Sequence, residues 1–413
     1  MPHHASEERP IAVIGAGAAG LLAALFAARA GAPVVLIERT KDGGRKILIS
    51  GGGRCNILPS VASPKRYVTD SSPNSLRKML SSWPLAEQKA FFEEELGMSL
   101  VREDTGKLFP ESNKARDVRD GLVTRVREAG ARIWFGAKVV DVRPRGEGWI
   151  VGIEGAPDLE ASAVVIATGG LSVPATGSDG IGLAIAERLG HQMKPTYPAL
   201  TPLTADPPPH AELAGVSLTV TIRAPGTKPG FSTTDGFLFT HTGWSGPSVL
   251  DASHLAIRGK RNGERQELEI QWCDRDEVAW DDALRDGKET VRSALGRALP
   301  RRLAGLLHRE SGVSEGTNLA TLRREDRKAL VRLLTRYRLP WTGDEGYKKA
   351  EVTGGGVALS EVDPVTMESR RRPGLLLCGE ILDAFGPIGG HNFLWAWATG
   401  RAAGVAAARR VRA

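Results

Sequence analysis

Cysteine is nearly absent from the chain: there are three in 413 residues, Cys55, Cys273 and Cys378, odd in number and far apart. That excludes a disulfide framework and the paired spacing of a zinc site, and it suits a reducing compartment, so a cytoplasmic protein with no metal is expected. A signal core is missing too, because residues 1–10 are polar and charged. Phe393 to Ala408 is apolar, but it is short, contains glycine and is interrupted by Arg401, which predicts a buried helix rather than a membrane span. Net acidity is also lacking. With 55 Lys and Arg against 48 Asp and Glu, the net charge is +7, which describes a solvated surface and permits an anionic partner. Hydrophobic content of 41% and charged content of 25% are ordinary for a soluble globular enzyme, and the length allows two or three domains.

What the chain has in quantity is glycine, 49 residues, much of it in clusters that read as ligand contacts. Ile11 to Ile14 predict a buried strand and Ala18 to Ala30 a helix. Between them Gly15, Gly17 and Gly20 take the G-x-G-x-x-G spacing, with Ala16, Ala18 and Ala19 in the intervening positions. Each glycine has a physical reason: a tight strand-to-helix turn, close backbone approach to a pyrophosphate, and close packing of helix on strand. The pyrophosphate belongs on the free N–H groups of the helix start. A second strand, Val34 to Ile37, ends at Glu38, whose carboxylate suits a ribose hydroxyl and favours a free 2′-OH over a 2′-phosphate.

Residues 43–56 predict a glycine-rich loop that can bring backbone N–H groups and Arg45 or Lys46 against a phosphate or ring edge, or else is a flexible surface loop. Helices are predicted at about 85–96 and 114–129, and strands over 131–142, 149–154 and 159–166. The last strand ends in Ala167-Thr168-Gly169-Gly170, small residues that permit close backbone contact, and Thr176 to Gly180 opens a helix over 181–189. From about Pro195, alternation such as Val216 to Ile222 predicts a β-rich insertion. Within it, Thr240, His241 and Ser245 line a substrate cleft or belong to a turn joining two strands. Residues 274–339 read as helical and arginine-rich, with Arg297, Arg301, Arg302, Arg323, Arg324, Lys328, Arg332, Arg336 and Arg338 forming either a solvated face or a phosphate-binding surface. Glu351 to Val357 predicts a strand entering a glycine turn, and Gly374 to Glu380 a buried strand. Gly389 and Gly390 then lead into a final helix whose start, through His391, Asn392 and Phe393, aims N–H groups at a ring carrying negative charge.

Taken with the Gly44 to Asn56 stretch, the Val352 to Val357 glycines and the Gly379-Glu380-x-Leu382-Asp383 turn, these motifs resemble the BaiN/RdsA family of NAD(P)/FAD-dependent oxidoreductases over nearly the whole chain. The chain departs from that pattern at His391, where members often carry tyrosine, and at Ile57-Leu58-Pro59, where a threonine-asparagine pair is frequent. The resemblance implies an α/β fold: a Rossmann-like FAD-binding domain over 1–193 and 351–413, an inserted β-barrel domain over 194–273 and 340–350, and a helical insertion over 274–339. It also implies that Arg39, Gly44, Ser50, Gly51, Gly52 and Val139 join the glycine, Glu38 and Ala167 to Gly170 residues around FAD, with Gly379 and Glu380 or Asp383 at the ribityl chain and Gly390 to Phe393 at the pyrimidine ring. No second G-x-G-x-x-G is present, so NADPH or NADH would dock transiently.

The function expected is hydride transfer between the flavin and a small organic substrate, with the flavin reduced by NAD(P)H or by the substrate itself. Alternatives are reduction of a uridine in ribosomal RNA, with structured RNA held by the arginine-rich helices, and an aminoacetone-type amine oxidation. If an activated C=C is reduced, an acid must protonate the second carbon. Cys55, beside Arg54, is a candidate through a lowered pKa, or else a small residue filling the loop; His241 is the alternative acid. Neither an oligomeric state nor a membrane partner is indicated.

Overall fold

The computed structural model describes residues 9–412. Strand β1 (Ile11–Ile14) is buried at every position and passes through the glycine turn into helix α1 (Ala18–Arg29). Strands β2 (Val34–Glu38), β3 (Arg132–Phe135), β4 (Ala163–Ile166) and β5 (Leu375–Leu377) complete a five-stranded sheet of order β5-β4-β1-β2-β3. Every pairing is parallel. β1, β4 and β5, and β2 as far as Ile37, are continuous apolar runs without alternation, as strands covered on both faces require. The chain steps from β1 to β2 on one side and later to β4 on the other, and the crevice beyond the carboxyl ends at such a switch is where open α/β sheets bind ligands. Gly15, Glu38, Ala167 and Gly379 all stand at those carboxyl ends.

The C-terminal helix α2 (His391–Arg412) lies directly on α1. A Cβ on Gly400 would come within 2.3 Å of the Ala19 carbonyl oxygen, and one on Gly404 within 2.3 Å of that of Ala23. Small residues four apart thus let two helix backbones touch. Trp395 and Trp397, buried farther round the helix, donate their indole N–H groups to the Gly379 and Ile57 carbonyls (3.0 and 3.2 Å). Among the described residues no helix is long and apolar enough to cross a membrane, and no cluster of three or more His, Cys, Asp or Glu could hold a metal.

Several local expectations are corrected. The stretch 131–142 is two strands in two sheets, because Gly136 turns the chain at φ +72°: β3 joins the parallel sheet, and Val139–Arg145 begins an antiparallel meander with Gly148–Ile153 and Leu159–Ala161. The stretch 159–166 likewise divides at Ser162 between the meander and β4. Residues 43–56 are not a loop: Arg45–Ile49 is a short helix, followed by a tight turn at Ser50–Gly53. The helix expected over 85–96 is α-helical only over Leu85–Ala90 and becomes a π-turn over Phe91–Glu95. Gly354 to Gly356 lie inside the strand Val352–Val357 rather than in a turn after it.

Contacts divide the chain into two units, Met1–Tyr197 with Val352–Ala413, and Pro198–Glu351. The second unit holds a seven-stranded sheet, antiparallel at each pairing, with Tyr337–Arg338 and Gly343–Asp344 at its two ends. Those end strands are joined by four residues, a reach of about 18 Å at most, so the sheet is curled like a barrel. The helices Pro247–Arg261, Glu277–Ala283, Val291–Gly296, Arg301–Glu310 and Arg324–Thr335 share one apolar core with it, centred on Trp244, Trp272 and Trp280.

Candidate functional site

The three motif glycines answer to different demands. Gly15 has φ +97°, and a Cβ there would sit 2.7 Å from the Ala167 carbonyl oxygen, so β1 and β4 can approach only over a bare backbone. A Cβ on Gly20 would lie 1.8 Å from the Gly15 carbonyl oxygen. Gly17 is otherwise: its φ of −79° is ordinary, and a Cβ would meet nothing within 4 Å. No contact among the described residues requires glycine at 17. The space above it, at the start of α1, is where N–H groups without intrahelical partners point.

Glu38 is 8% exposed and organises this turn. Its Oε2 accepts from the Ala16 N–H (2.8 Å), and its Oε1 from the N–H and hydroxyl of Thr40 (2.8 and 2.7 Å). Oε2, with one bond, keeps acceptor capacity for a ribose hydroxyl. The Ala16 carbonyl accepts from Gly44 N–H at 2.8 Å, tying the short helix to the glycine turn. Arg45 turns to Asp42 (2.8 Å), whose carboxyl it holds below the usual range chiefly through that hydrogen bond. Arg39 pairs with Asp179, Ser50 bonds the Ile47 carbonyl (2.8 Å), and Val139 is buried on the meander opposite Ile153. A Cβ on Gly51 would meet the Phe109 ring at 2.9 Å, whereas one on Gly52 would meet nothing within 4 Å.

Lys46 points inward. Its ammonium donates to Glu380 Oε2 and Ser172 Oγ, both at 2.6 Å. Glu380 Oε1 accepts from the Ser172 hydroxyl (2.6 Å) and Thr353 N–H (3.0 Å), and the Thr353 hydroxyl oxygen accepts from Leu171 N–H (2.7 Å). Gly170 and Gly169 pack over this cluster. The Thr168 hydroxyl faces Gly182 in the next helix and has no hydrogen-bond partner.

Asp383 is directed at the chain's own backbone. One of its carboxylate oxygens accepts from Thr69 (3.2 Å), Asp70 N–H (3.0 Å) and Ser71 (2.7 Å), and burial, the largest influence, pushes its carboxyl up to about 6. A folded pKa above the unfolded one stabilises the protein below about pH 4, and that contribution is lost as pH rises through 6. Asp383→Asn is therefore expected to gain on the wild type between pH 4.5 and pH 7 by about 2 kcal/mol. Urea unfolding of both proteins at the two pH values measures this, and an equal difference at both would refute it. The buried histidines shift the opposite way but cancel in the comparison.

At the start of α2 the loop is braced from both sides. Asn392 accepts from Gly386 N–H (2.8 Å) and donates to its carbonyl (2.9 Å). A Cβ on Gly390 would press on Leu58 at 2.5 Å, and Phe393 stacks on Trp397 (5.2 Å, 10°). The first helical bond runs from Leu394 N–H to the Gly390 carbonyl, so the preceding N–H groups face outward. His391, 1% exposed, takes a hydrogen bond from Arg66 at Nε2 (3.0 Å), while its Nδ1 is buried without a partner.

The thiol expectation is corrected. Cys55 is fully buried at φ +62°, and burial pushes its thiol up to about 12. Arg54 gives it no help, since its guanidinium pairs with Glu103 at 2.5 Å and covers the Phe109 ring at 4.1 Å. His241 is exposed in the turn between Phe231–Phe239 and Gly243–Ser245 of the second unit, where the Thr240 hydroxyl accepts from Gly243 N–H (3.0 Å).

The residues fit a dinucleotide flavin: open space at Gly17 over one helix start, residual acceptor capacity at Glu38, and the partly exposed Gly389, Gly390, Asn392 and Phe393 at the start of the other helix. Arg66, Tyr67, Ser172 and Thr353 were not foreseen; only the small-x-x-x-small pair Gly400 and Gly404 left a readable signal for the helix contact.

The chain matches the HI0933-like protein Rossmann domain over residues 9–406. It is 34% identical over 394 residues to the ribosomal RNA dihydrouridine synthase of Escherichia coli (strain K12), covering 94% of this chain and 95% of that one. It is 31% identical over 409 residues to the 3-dehydro-bile acid delta(4,6)-reductase of Clostridium scindens, covering 97% and 99%. Among solved structures, the 3-ketosteroid delta1-dehydrogenase of Sterolibacterium denitrificans shares the fold at a TM-score of 0.51 and 13% identity, over 97% of this chain and 98% of that chain.

Proposed function

The chain belongs to the HI0933-like Rossmann family of FAD-dependent oxidoreductases, and from that premise we propose that it reduces a C=C bond conjugated with a carbonyl, its substrate being a uridine base in structured RNA. The names of both relatives describe reductions of that bond type. The observation that carries RNA over a small molecule lies on the helix Arg324–Thr335. Arg324, Lys328 and Arg332, four residues apart along one edge, are exposed and make no ion pair among the described residues. Of the other cations of the region, Arg297 pairs with Glu289, Arg323 with Asp326, Arg336 with Glu277 and Arg338 with Glu267, and Arg302 bonds the Ala214 carbonyl, while Arg301, exposed on a different helix, makes no ion pair among the described residues. Unneutralised cations in a row suit a phosphate backbone.

When bound, FAD supplies the hydride chemistry. The chain's part is to seat the pyrophosphate on α1, hold the ribose at Glu38, and set the positive end of α2 against negative charge. Reduction adds a hydride to one carbon and a proton to the other, the electrons coming from NADPH or NADH.

The test is anaerobic. Protein carrying FAD is bleached with NADPH or NADH, then mixed with unmodified ribosomal RNA. RNA-dependent reoxidation with dihydrouridine found by mass spectrometry is expected. Reoxidation only by small conjugated carbonyl compounds would overturn the RNA assignment, and failure to retain flavin would overturn the whole reading.

A further inference from the structure

The guanidinium of Arg54 lies over the Phe109 ring, its central carbon 4.1 Å from the ring centroid. Two acceptors fix its edge: Glu103 Oε1 takes a hydrogen bond from a terminal nitrogen (2.5 Å), and the Gly51 carbonyl takes one from Nε (3.4 Å). Phe109 is a firm base for it. The ring is 3% exposed and stands on the strand Lys107–Pro110, which pairs with Leu100–Arg102. A planar cation thus has one face on an aromatic ring and its edge held, yet its side chain remains 42% exposed. The face turned away from the ring is the open one.

The ground beside that face is low. Gly51, Gly52 and Gly53 are exposed at φ of 56°, 69° and 86°, and a Cβ on Gly52 would meet nothing within 4 Å. Val101, opposite Phe109 in register and so on the same side of the strand pair, is 48% exposed. Charge argues against a phosphate here, because the Glu103 carboxylate already matches the guanidinium. What remains on offer is a plane, and guanidinium planes stack on nucleobases. Lys107, two residues along the strand from Phe109, brings its Cε within 3.6 Å of where a Gly389 Cβ would stand. The Arg54 plane is therefore about 7 Å along the strand from the start of α2, where the flavin ring is expected.

We propose that the open face of Arg54 stacks a base adjoining the target uridine in the RNA. This rests on the RNA reading above. Glu103 and Phe109 are positioning residues, since they hold the plane and touch no ligand. A neighbouring base held on Arg54 keeps the strand splayed, which lets the target uridine leave its stack.

The probe is the fragment of ribosomal RNA that carries the uridine reduced by the wild-type protein. Converting one of the two nucleotides beside that uridine to an abasic site should weaken binding to the wild type about tenfold. Arg54→Met, whose side chain can still cover Phe109, should bind the intact fragment about tenfold more weakly and lose the response to the abasic change. Its slope of log affinity against log salt should equal that of the wild type, because no phosphate contact has gone. Arg54→Lys keeps the charge without the plane and should behave as Arg54→Met does. A shallower salt slope in Arg54→Met would assign Arg54 to a phosphate and overturn the proposal. So would wild-type affinity in Arg54→Lys, or a wild type indifferent to abasic sites on both sides of the uridine. Wild-type protein that forms no dihydrouridine in ribosomal RNA would instead overturn the reading beneath it.

Discussion

Gly17→Val is expected to leave a folded apoprotein that no longer retains FAD. In the chain's own contacts the position is free: the backbone conformation is ordinary and a Cβ meets nothing within 4 Å. The cost to folding is then a poorer residue before α1, about 1 kcal/mol, or a few degrees in Tm. The isopropyl group would occupy the space over the free N–H groups of α1. Losing two charge-assisted bonds at 1.5–3 kcal/mol each corresponds to a fall in FAD affinity of about 10²–10⁴-fold. Gly20→Ala is the contrast, because its methyl would collide with the Gly15 carbonyl oxygen at 1.8 Å. It should unfold the turn with or without flavin. Flavin fluorescence titration and thermal melts of the apoproteins separate the two effects; Gly17→Val that binds FAD normally would show that the pyrophosphate does not lie on α1.

That contrast also marks what can be read from residues alone. The G-x-G-x-x-G spacing announces strand, turn and helix because sterics at Gly15 and Gly20 are local consequences of the turn. Buried parallel strands announce themselves as apolar runs. The split of 131–142 was invisible because Trp134 and Val139 look alike in a hydropathy pattern, and only the φ of +72° at Gly136 sends them to different sheets. Cys55 misled for a related reason. Its neighbour Arg54 is adjacent in sequence, but it swings out to Glu103 and Phe109, so proximity in the chain gave no electrostatic proximity. Asp383 stood in the right turn, yet its acceptors serve Thr69, Asp70 and Ser71, more than 300 residues away in the chain. The Arg66 to His391 bond spans a similar separation. Such pairings depend on the tertiary fold, and no spacing rule reaches them.

The same distinction sorts the arginines, and it yields the second large effect. Composition marks residues 274–339 as basic, but only the structure separates cations spent on carboxylates from those left over. Replacing Arg324, Lys328 and Arg332 together by glutamine is expected to weaken RNA binding about a hundredfold at moderate salt. The slope of log affinity against log salt should fall by about 2, three contacts at about 0.7 each. The three sites span about 12 Å of helix at 1.5 Å per residue, a row that several successive phosphates can share. All three are exposed, and the face that packs is formed by Leu330, Val331, Leu334 and Thr335, so the melting temperature should hold. Arg336→Gln is the control: its guanidinium already lies 2.6 Å from Glu277, and its loss should change RNA affinity by no more than about threefold. Reoxidation of the reduced protein by a small conjugated ketone should be the same in wild type and triple variant, since that electron transfer needs no phosphate contact. A triple variant with the wild-type affinity and salt slope would remove the RNA surface from this helix and leave a small conjugated carbonyl compound as the substrate.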